Sequence, residues 1–269
     1  MASDGFELVD EVAGVFAPSR WMLVGGLMVH AHARLAGITN ARSTDDADIV
    51  VEIRPNSGYT GAVDALRTIG FEPYESLDHQ ALSYRFTRGR QHIDLMAPDR
   101  SAEVRLGRRA VLQVPGSHSA LKRTEVFRTA AGSLIRVPDI AGALSLKGAA
   151  YQTPSHNPVR HLQDAVVLFA CAEVRGVETP SKSMRTNINV LLRDLGTSPE
   201  AWSLADRSLV RLATRAIQTK FRADWRPPSF VGPQRLNVSS GQRRGKTTPA
   251  SNRTSFAPRV REEPTDVDL

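Results

Sequence analysis

Two aspartates separated by one residue, Asp46 and Asp48, lead directly into an apolar run at residues 49–53. Successive side chains of a strand point to opposite faces, so these two carboxylates would project from one face at the start of a strand. Two carboxylates held this close repel each other unless a cation lies between them. Oxygen ligands suit a hard divalent cation, so the spacing predicts a Mg²⁺ site.

A third aspartate extends this pattern. Asp94 lies in the middle of residues 91–96, which read as a short strand. If this strand pairs beside residues 49–53, Asp94 joins Asp46 and Asp48 on one face. Three carboxylates can hold two metal ions, the arrangement that clamps the attacking and leaving oxygens of phosphoryl-type transfer.

Each of these acids also has a simpler interpretation. Asp46 and Asp48 can be a solvated acidic turn before a strand, because an Asp-x-Asp pair alone carries little information. Asp94 can be paired with Arg85 or Arg90, since its apolar neighbours would face the core in either case. The glycine turn that precedes the first two acids, and the third acid that follows them, favour the metal site.

Two glycines, Gly25 and Gly26, end an apolar run at residues 22–24 and precede a predicted helix at 27–35. Glycine lets the backbone approach a phosphate closely, and the N-terminus of a helix favours an anion. The pair therefore predicts a phosphate-binding turn, although the same residues also suit a plain tight turn.

A lysine further along the chain, Lys147, lies in a helix of otherwise small and apolar residues. Lysine is rarely buried without a partner, so we expect a triphosphate, or Asp164 on the next helix, to satisfy it. A lysine that extends to solvent at a domain edge is the alternative. Asp164 can also polarise an acceptor or form a structural ion pair. We expect Arg160 and His161 to be exposed.

Taken in order, these motifs resemble the nucleotidyltransferase superfamily, which has a polymerase-beta-like fold. The resemblance begins with the Gly-Gly turn and continues with an Arg-x-Thr-x-Asp-x-Asp run that enters a strand. A single aspartate on a later strand completes it. The matching residues of the run and the later strand are Arg42, Thr44, Asp46, Asp48 and Asp94.

The downstream helices narrow the resemblance. The lysine-bearing helix with Lys147, followed by a helix with Asp164, is similar to the AbiEii/AbiGii-type toxin nucleotidyltransferases, which include the MenT-like enzymes. The similarity covers about residues 5–172. It implies Mg²⁺-dependent transfer of a nucleoside monophosphate from an NTP to an acceptor, with release of pyrophosphate.

The resemblance also implies a role for each acid and for the lysine. Asp46 and Asp48 would hold the metal ions, and Asp94 would share one of them and help to deprotonate the attacking hydroxyl. Lys147 would stabilise charge that builds up on the triphosphate, and Asp164 would position Lys147 or the acceptor. The resemblance also implies that Arg160 or His161 could touch a phosphate. The nucleotide would lie between two domains, where binding pockets tend to form.

Four further residues would contact the nucleotide. Arg42 can neutralise the phosphates through two parallel hydrogen bonds, and Thr44 lies beside the acids. Many members of the superfamily have Gly-Ser at the turn, whose hydroxyl contacts a phosphate, whereas Gly25 and Gly26 offer only backbone N–H groups. AbiEii-type proteins commonly have Gly-Gly there. Asp45 would point to the opposite face of the strand from the metal site.

The resemblance implies a biological role as the toxin of a bacterial toxin–antitoxin or phage-defence pair. The acceptor would then be the 3′ end of a tRNA, and a cognate antitoxin would be a partner. Two other classes remain open. One is a nucleotidyltransferase that modifies an antibiotic or a protein, for which a drug-binding cleft would be acidic. The other is a degenerate, non-catalytic binding module, which the presence of all three acids disfavours.

The elements that must position these residues predict an α/β protein. We expect a nucleotidyltransferase-fold mixed sheet with flanking helices at 5–135, a helical C-terminal domain at 136–225 and a disordered basic Pro/Ser-rich tail at 226–269. Residues 71–136 are predicted to be rich in strands, including 82–86, 92–96 and 110–114. The other predicted strands are 20–24 and 48–53, and helices are predicted at 6–16, 27–35, 60–69, from Pro138, 160–171, 184–195 and 199–220.

The charge and the cysteine content indicate which partners and which location to expect. The net charge is +7, of which residues 226–269 carry eight Lys and Arg against four Asp and Glu, or +4. The preceding residues are therefore only mildly basic, which is compatible with an RNA partner without requiring one. The apolar runs are too short for a transmembrane helix, so we expect no membrane partner. The single cysteine, Cys171, lies in an apolar helix, and the cytoplasm is the expected location.

Overall fold

The apolar runs form short strands because glycine, proline or charged turn residues interrupt each of them within a few positions. A computed structural model describes residues 5–39, 41, 44, 46–53, 58–76, 78 and 81–229. The strands in these residues are β1 (Trp21–Leu23), β2 (Ala47–Val51), β3 (Glu72–Pro73), β4 (Arg85–Arg88), β5 (Gln91–Pro98), β6 (Arg105–Leu106), β7 (Arg109–Ala110), β8 (Gln113–Val114), β9 (Thr124–Arg128) and β10 (Leu134–Pro138).

Six of these strands form a mixed sheet in the order β1-β2-β5-β4-β3, with β8 also pairing with β5. The pairs β2–β5 and β5–β8 are parallel, whereas β1–β2, β5–β4 and β4–β3 are antiparallel. β9 with β10, and β6 with β7, form separate antiparallel pairs. The long strand β5 is thus the centre of the sheet, and its apolar residues are buried.

Helices cover the sheet and continue beyond it. In the described part of the chain they are α1 (Glu7–Val15), α2 (Gly25–Leu35), α3 (Tyr59–Thr68), α4 (Ser117–Leu121), α5 (Ile140–Tyr151), α6 (Val159–Arg175), α7 (Lys182–Leu195) and α8 (Arg207–Ala216). α2 packs against α5 and α6, so the glycine turn and the later helices share one core. α5 and α6 are mostly buried because small and apolar residues occupy nearly all of their faces.

The predicted α/β class, with a mixed sheet, flanking helices and further helices toward the C-terminus, is confirmed. The hairpin around Gly89 is also confirmed, and that glycine has a φ of +60° at the turn. The proposed boundary between residues 135 and 136 falls within β10, and the division into two domains stays a prediction. The turn predicted at 54–58 is described only at Gly58. The tail beyond residue 229 lies outside the described residues.

The prediction that Pro138 starts a helix was wrong. Pro138 is the last residue of β10, where it pairs with Thr124. α5 begins after Asp139, whose Oδ1 accepts a hydrogen bond of 2.7 Å from the Gly142 N–H. A side chain that caps the first turn defines a helix start more strongly than a proline two positions earlier.

Two other predicted elements are divided in the structure. The helix expected at 199–220 consists of a 3₁₀ turn at Pro199–Trp202, then α8, then a π-helical turn at Ile217–Phe221. Asp206 restarts the helix because its side chain accepts a hydrogen bond from the Leu209 N–H. The strand expected at 110–114 is divided between β7 and β8, and the five-residue helix α4 was not predicted.

Two expectations from composition can be compared with the structure. Cys171 is buried in α6, and this burial raises the pKa of its thiol to about 12, as expected for a core residue. Among the described residues, no helix has the length and apolar character needed to cross a bilayer.

A glycine sets the distance between α5 and α7. A Cβ at Gly148 would collide with the backbone carbonyl oxygen of Asn187, so the two helices can approach this closely only with glycine there. We expect Gly148→Ala to lower the free energy of unfolding by about 1–3 kcal/mol, the usual cost of overpacking. Urea denaturation would measure it.

The matched control is Gly61→Ala in α3, where a Cβ meets no atom within 4 Å. That variant is expected to be more stable than the parent by about 0.5–1 kcal/mol, because alanine is the better helix former. Equal effects of the two substitutions would contradict close packing at Gly148.

Candidate active site

The parallel pairing of β2 with β5 brings two predicted site residues together. Asp48 and Asp94 are register partners, so their side chains leave the same face of neighbouring strands. Asp46 precedes β2 and is exposed, and Thr44 is half-buried nearby in sequence. Arg42 and Asp45 lie outside the described residues, so their roles stay predictions.

The glycine turn is fitted to Asp48. Gly25 has a φ of +68°, in the left-handed region that favours glycine, and it is the first residue of α2. A Cβ at Gly25 would collide with the Asp48 carboxylate, which lies directly over the glycine. The Val24 N–H donates to the Asp48 carbonyl oxygen at 2.9 Å and holds the turn against β2. Gly26 follows as the second, buried residue of α2.

The electrostatic surroundings of Asp48 have contributions of both signs. Its pKa is raised to about 6, first by burial of the carboxyl and then by the charges of Asp94 and Asp46. Lys147 and Arg160 act in the opposite direction and lower that pKa. Asp48 therefore lies within electrostatic reach of two acids and of two cations carried by α5 and α6.

Asp94 forms a two-pronged ion pair with Arg85, which is its register partner on β4. Nε of Arg85 donates to Oδ1 of Asp94, and Nη2 donates to Oδ2, each at 2.9 Å. These hydrogen bonds raise the pKa of the Arg85 guanidinium above its ordinary value. Of the two arginines considered from sequence, Arg85 is therefore the partner of Asp94.

Lys147 and Asp164 form a buried ion pair between α5 and α6. Nζ of Lys147 lies 2.6 Å from Oδ2 of Asp164, and the two side chains are only 5% and 3% exposed. Asp164 thus satisfies the lysine, one of the partners considered from sequence. Arg160 is exposed as expected, whereas the expectation for His161 was wrong: it is buried, because it lies on the side of α6 that faces the core.

The fit of these acids to a divalent cation is partial. Within the described ranges, no three His, Cys, Asp or Glu side chains are grouped closely enough to form a ready metal site. The mutual repulsion of Asp48, Asp94 and Asp46 is nevertheless what a hard cation would relieve. Asp94 can take part while paired with Arg85, because two carboxylate oxygens provide about four lone-pair sites. The metal role of the three acids stays a prediction.

Two residues of this group, Arg85 and Arg160, were not among the predicted site residues, although Arg85 was one of two arginines considered as a partner of Asp94. Arg160 was signalled by its position one helical turn before Asp164, since residues i and i+4 lie on the same side of a helix. Arg85 was signalled by the two-residue turn at Gly89, which places Arg88 opposite Gln91 and hence Arg85 opposite Asp94.

A cavity of about 590 Å³ lies elsewhere, at the N-terminus of α5. Its arginines are already paired: Arg123 lies 2.6 Å from Asp139, and Arg175 forms a two-pronged pair with Glu125. None of the predicted site residues lines it. The carboxylates and cations around Asp48 are therefore the better candidate for chemistry.

Comparison with known proteins gives little further constraint. No protein-family model matches the chain, and no curated protein is significantly similar to it. Among solved structures it is similar to an antigenic nucleotidyltransferase-like protein from Paracoccidioides brasiliensis. The sequence identity is 14%, the TM-score is 0.40, and the match covers 69% of this chain and 88% of that chain. At that level of similarity, the function has to be inferred from the site residues themselves.

The close approach of Asp48 to Gly25 can be tested by substitution. Gly25→Ala adds both a strained left-handed conformation, at about 1–2 kcal/mol, and a collision with the carboxylate, at about 1–3 kcal/mol. Gly37→Ala is the matched control, because Gly37 has a φ of +66° but no atom within 4 Å of a Cβ. Urea denaturation should show the larger loss for Gly25→Ala, and equal losses would argue against the collision.

The Lys147–Asp164 pair should behave as a coupled unit. Lys147→Met and Asp164→Leu each leave an uncompensated buried charge, so each should lower the free energy of unfolding by about 3–5 kcal/mol. The double variant should be more stable than either single variant, because neither member of the pair is left as an unpaired buried charge. Additive losses in urea denaturation would show that the pair is not coupled.

Proposed function

We propose that the chain is a nucleotidyltransferase that transfers a nucleoside monophosphate from an NTP to an acceptor, with tRNA as the acceptor. One observation carries this proposal. Asp48 lies over the glycine turn of α2, beside Asp94, and within electrostatic reach of Lys147 and Arg160. The acids around Asp48 are suited to binding a cation, and the two basic residues near it are suited to binding a triphosphate.

The proposed reaction is an exchange at the α-phosphorus of the NTP. The acceptor hydroxyl oxygen forms a bond to that phosphorus, and the bond from the phosphorus to the oxygen bridging toward the β-phosphate breaks. Pyrophosphate leaves with the electron pair of the broken bond. The hydroxyl proton passes to an Asp94 oxygen, which keeps lone pairs beyond the two hydrogen bonds from Arg85.

We assign the cation to Asp46 and Asp48, with Asp94 sharing through its remaining lone pairs. Mg²⁺ bound there would neutralise the phosphate oxygens and the repulsion among the acids. Asp46 is exposed and free to turn toward a ligand, whereas Asp48 is held in place by the Gly25 turn. The two acids would therefore contribute differently, Asp48 as the fixed ligand and Asp46 as the adjustable one.

The remaining residues of the site would bind and orient the triphosphate. The first N–H groups of α2, at Gly25 and Gly26, are directed toward its N-terminal end, where an anion is favoured. Arg160 is exposed and can donate to phosphate oxygens directly. Lys147 is too buried for broad contact, so it would act through its charge, which Asp164 holds in position. We assign to Arg42 and Thr44 the phosphate contacts that the resemblance implies.

A role as the toxin of a toxin–antitoxin or phage-defence pair, with a cognate antitoxin as partner, is part of the proposal. Its support is the motif resemblance, namely the Gly-Gly turn, the Asp46 and Asp48 pair, and the order of Lys147 and Asp164 on successive helices. The geometry adds support for the last of these, since the lysine and aspartate meet in one ion pair.

The test incubates the full chain with Mg²⁺, each NTP in turn radiolabelled at the α-phosphate, and total bacterial tRNA. Label on RNA is expected with the wild type, and Asp48→Asn should lower the rate more than about 100-fold, the usual effect of removing one electrostatic contribution to a transition state. Asp64→Asn is the control, because Asp64 is an exposed acid on α3. Its rate should match that of the wild type.

Other outcomes would redirect the proposal. Label on protein or on a small molecule would keep the transferase and replace the acceptor. Label on RNA that persists in Asp48→Asn would remove Asp48 from the chemistry. No label anywhere, together with no binding of Mg²⁺-NTP by calorimetry, would favour a non-catalytic module.

A further inference from the structure

Four side chains form a row across one face of the sheet, from the candidate site to the sheet edge. Asp48 on β2 is the register partner of Asp94 on β5, and Asp94 is the register partner of Arg85 on β4. Tyr74 follows β3, and its N–H donates to the Arg85 carbonyl oxygen at 2.8 Å. Directly opposite residues project from the same face, so the row ends in a tyrosine.

Exposure increases along the row outward from Asp94. Asp94 is 8% exposed, the Arg85 side chain is 38% exposed, and Tyr74 is 58% exposed. The row therefore leads from the buried Asp94 carboxylate to solvent. Adjacent strands are about 4.8 Å apart, so Tyr74 lies roughly 10 Å across the sheet from Asp94. That span matches about three stacked nucleotides at ~3.4 Å each.

The outer part of the row has the chemistry of a site for an unpaired nucleic-acid strand. Arg85 uses Nε and Nη2 on Asp94, and in the described part of the chain its Nη1 group makes no hydrogen bond, so that edge can donate to a phosphate. Tyr84 lies against the same guanidinium, with its ring 5.7 Å from the Arg85 Cζ. Tyr74 offers an exposed ring, on which any base can stack.

We propose that Tyr74 and Arg85 bind the acceptor strand, with an unpaired base stacked on Tyr74, a phosphate on Arg85 and the attacking hydroxyl at Asp94. This inference rests on the proposed function, since it names the acceptor surface of that site. An arginine and a tyrosine next to the carboxylates suit a polyanion and disfavour a cationic acceptor. In this arrangement Asp94 has a second role, because it fixes the guanidinium that meets the strand.

Direct binding tests the surface without any need for catalysis. The full chain would be titrated into a fluorescently labelled single-stranded RNA of about ten nucleotides, and anisotropy would be measured. Tyr74→Ala should weaken RNA binding about tenfold or more, because one stacking contact is lost. Tyr74→Phe keeps the ring, so its RNA affinity should stay within about twofold of the wild type. Leu204→Ala is the control, since Leu204 is 57% exposed and lies outside the row.

Arg85 is tested through salt dependence. Arg85→Gln should weaken RNA binding and lower the slope of log affinity against log salt by about one, the value for one lost phosphate contact. Arg85→Lys should retain most of that slope, because the charge remains. Because Arg85→Gln removes the ion-pair partner of buried Asp94, its midpoint of urea unfolding should fall, so binding is compared under conditions in which circular dichroism shows every variant folded. An unchanged slope in Arg85→Gln would exclude the phosphate contact.

The kinetic test separates this inference from the proposed function. Tyr74→Ala should raise KM for the RNA acceptor about tenfold with kcat and the KM for NTP within about twofold of the wild type. Transfer that is unaffected by Tyr74→Ala would overturn the surface and leave the transferase intact. RNA binding that depends on Tyr74, in a chain without transfer activity, would support the RNA-binding surface and contradict the proposed transferase function. Absence of RNA binding by the wild type would overturn the surface directly.

Discussion

The parallel pairing of β2 with β5 is the constraint on which the candidate site depends. It places Asp48 beside Asp94 on one face, and two like charges at this distance must be offset by cations. The protein supplies those cations from two directions. Arg85 reaches Asp94 from within the sheet, and Lys147 acts on Asp48 from the helices above it. Most of the charged residues of the site follow from this one juxtaposition.

The two cations are themselves held by different means, and this difference has a functional meaning. Lys147 is almost fully buried and is fixed by its ion pair with Asp164, so it contributes to the site from a fixed position. Arg85 is more than one-third exposed and keeps an unused edge, so it can interact with a substrate while still paired with Asp94. The buried Lys147 is suited to holding its position, and the exposed Arg85 is suited to binding a substrate.

The agreement between prediction and structure is greatest where a local pattern determines the result. The strand that follows the two acids and carries Asp48, and the buried helix that carries Lys147, both needed only a few neighbouring residues, whereas Asp46 lies before that strand. The predicted ends of the helices were less accurate, because a capping side chain can override the intrinsic helix propensity of the neighbouring residues. Asp139 caps α5, which begins at Ile140, two residues after the proline predicted to start it, and Asp206 divides what had been predicted as one long helix.

The amino-acid sequence by itself determined the types of residue at the site, the order in which they occur and the classes of element that carry them. It left open whether Asp94 faces a metal, Arg85 or Arg90, because strand pairing is a long-range choice that local spacing does not encode. Only the tertiary structure decided that Asp94 lies between Asp48 and Arg85. The reason is physical: the register of β4, β5 and β2 is set by burial of their apolar faces together, and the positions of the charges follow from that packing.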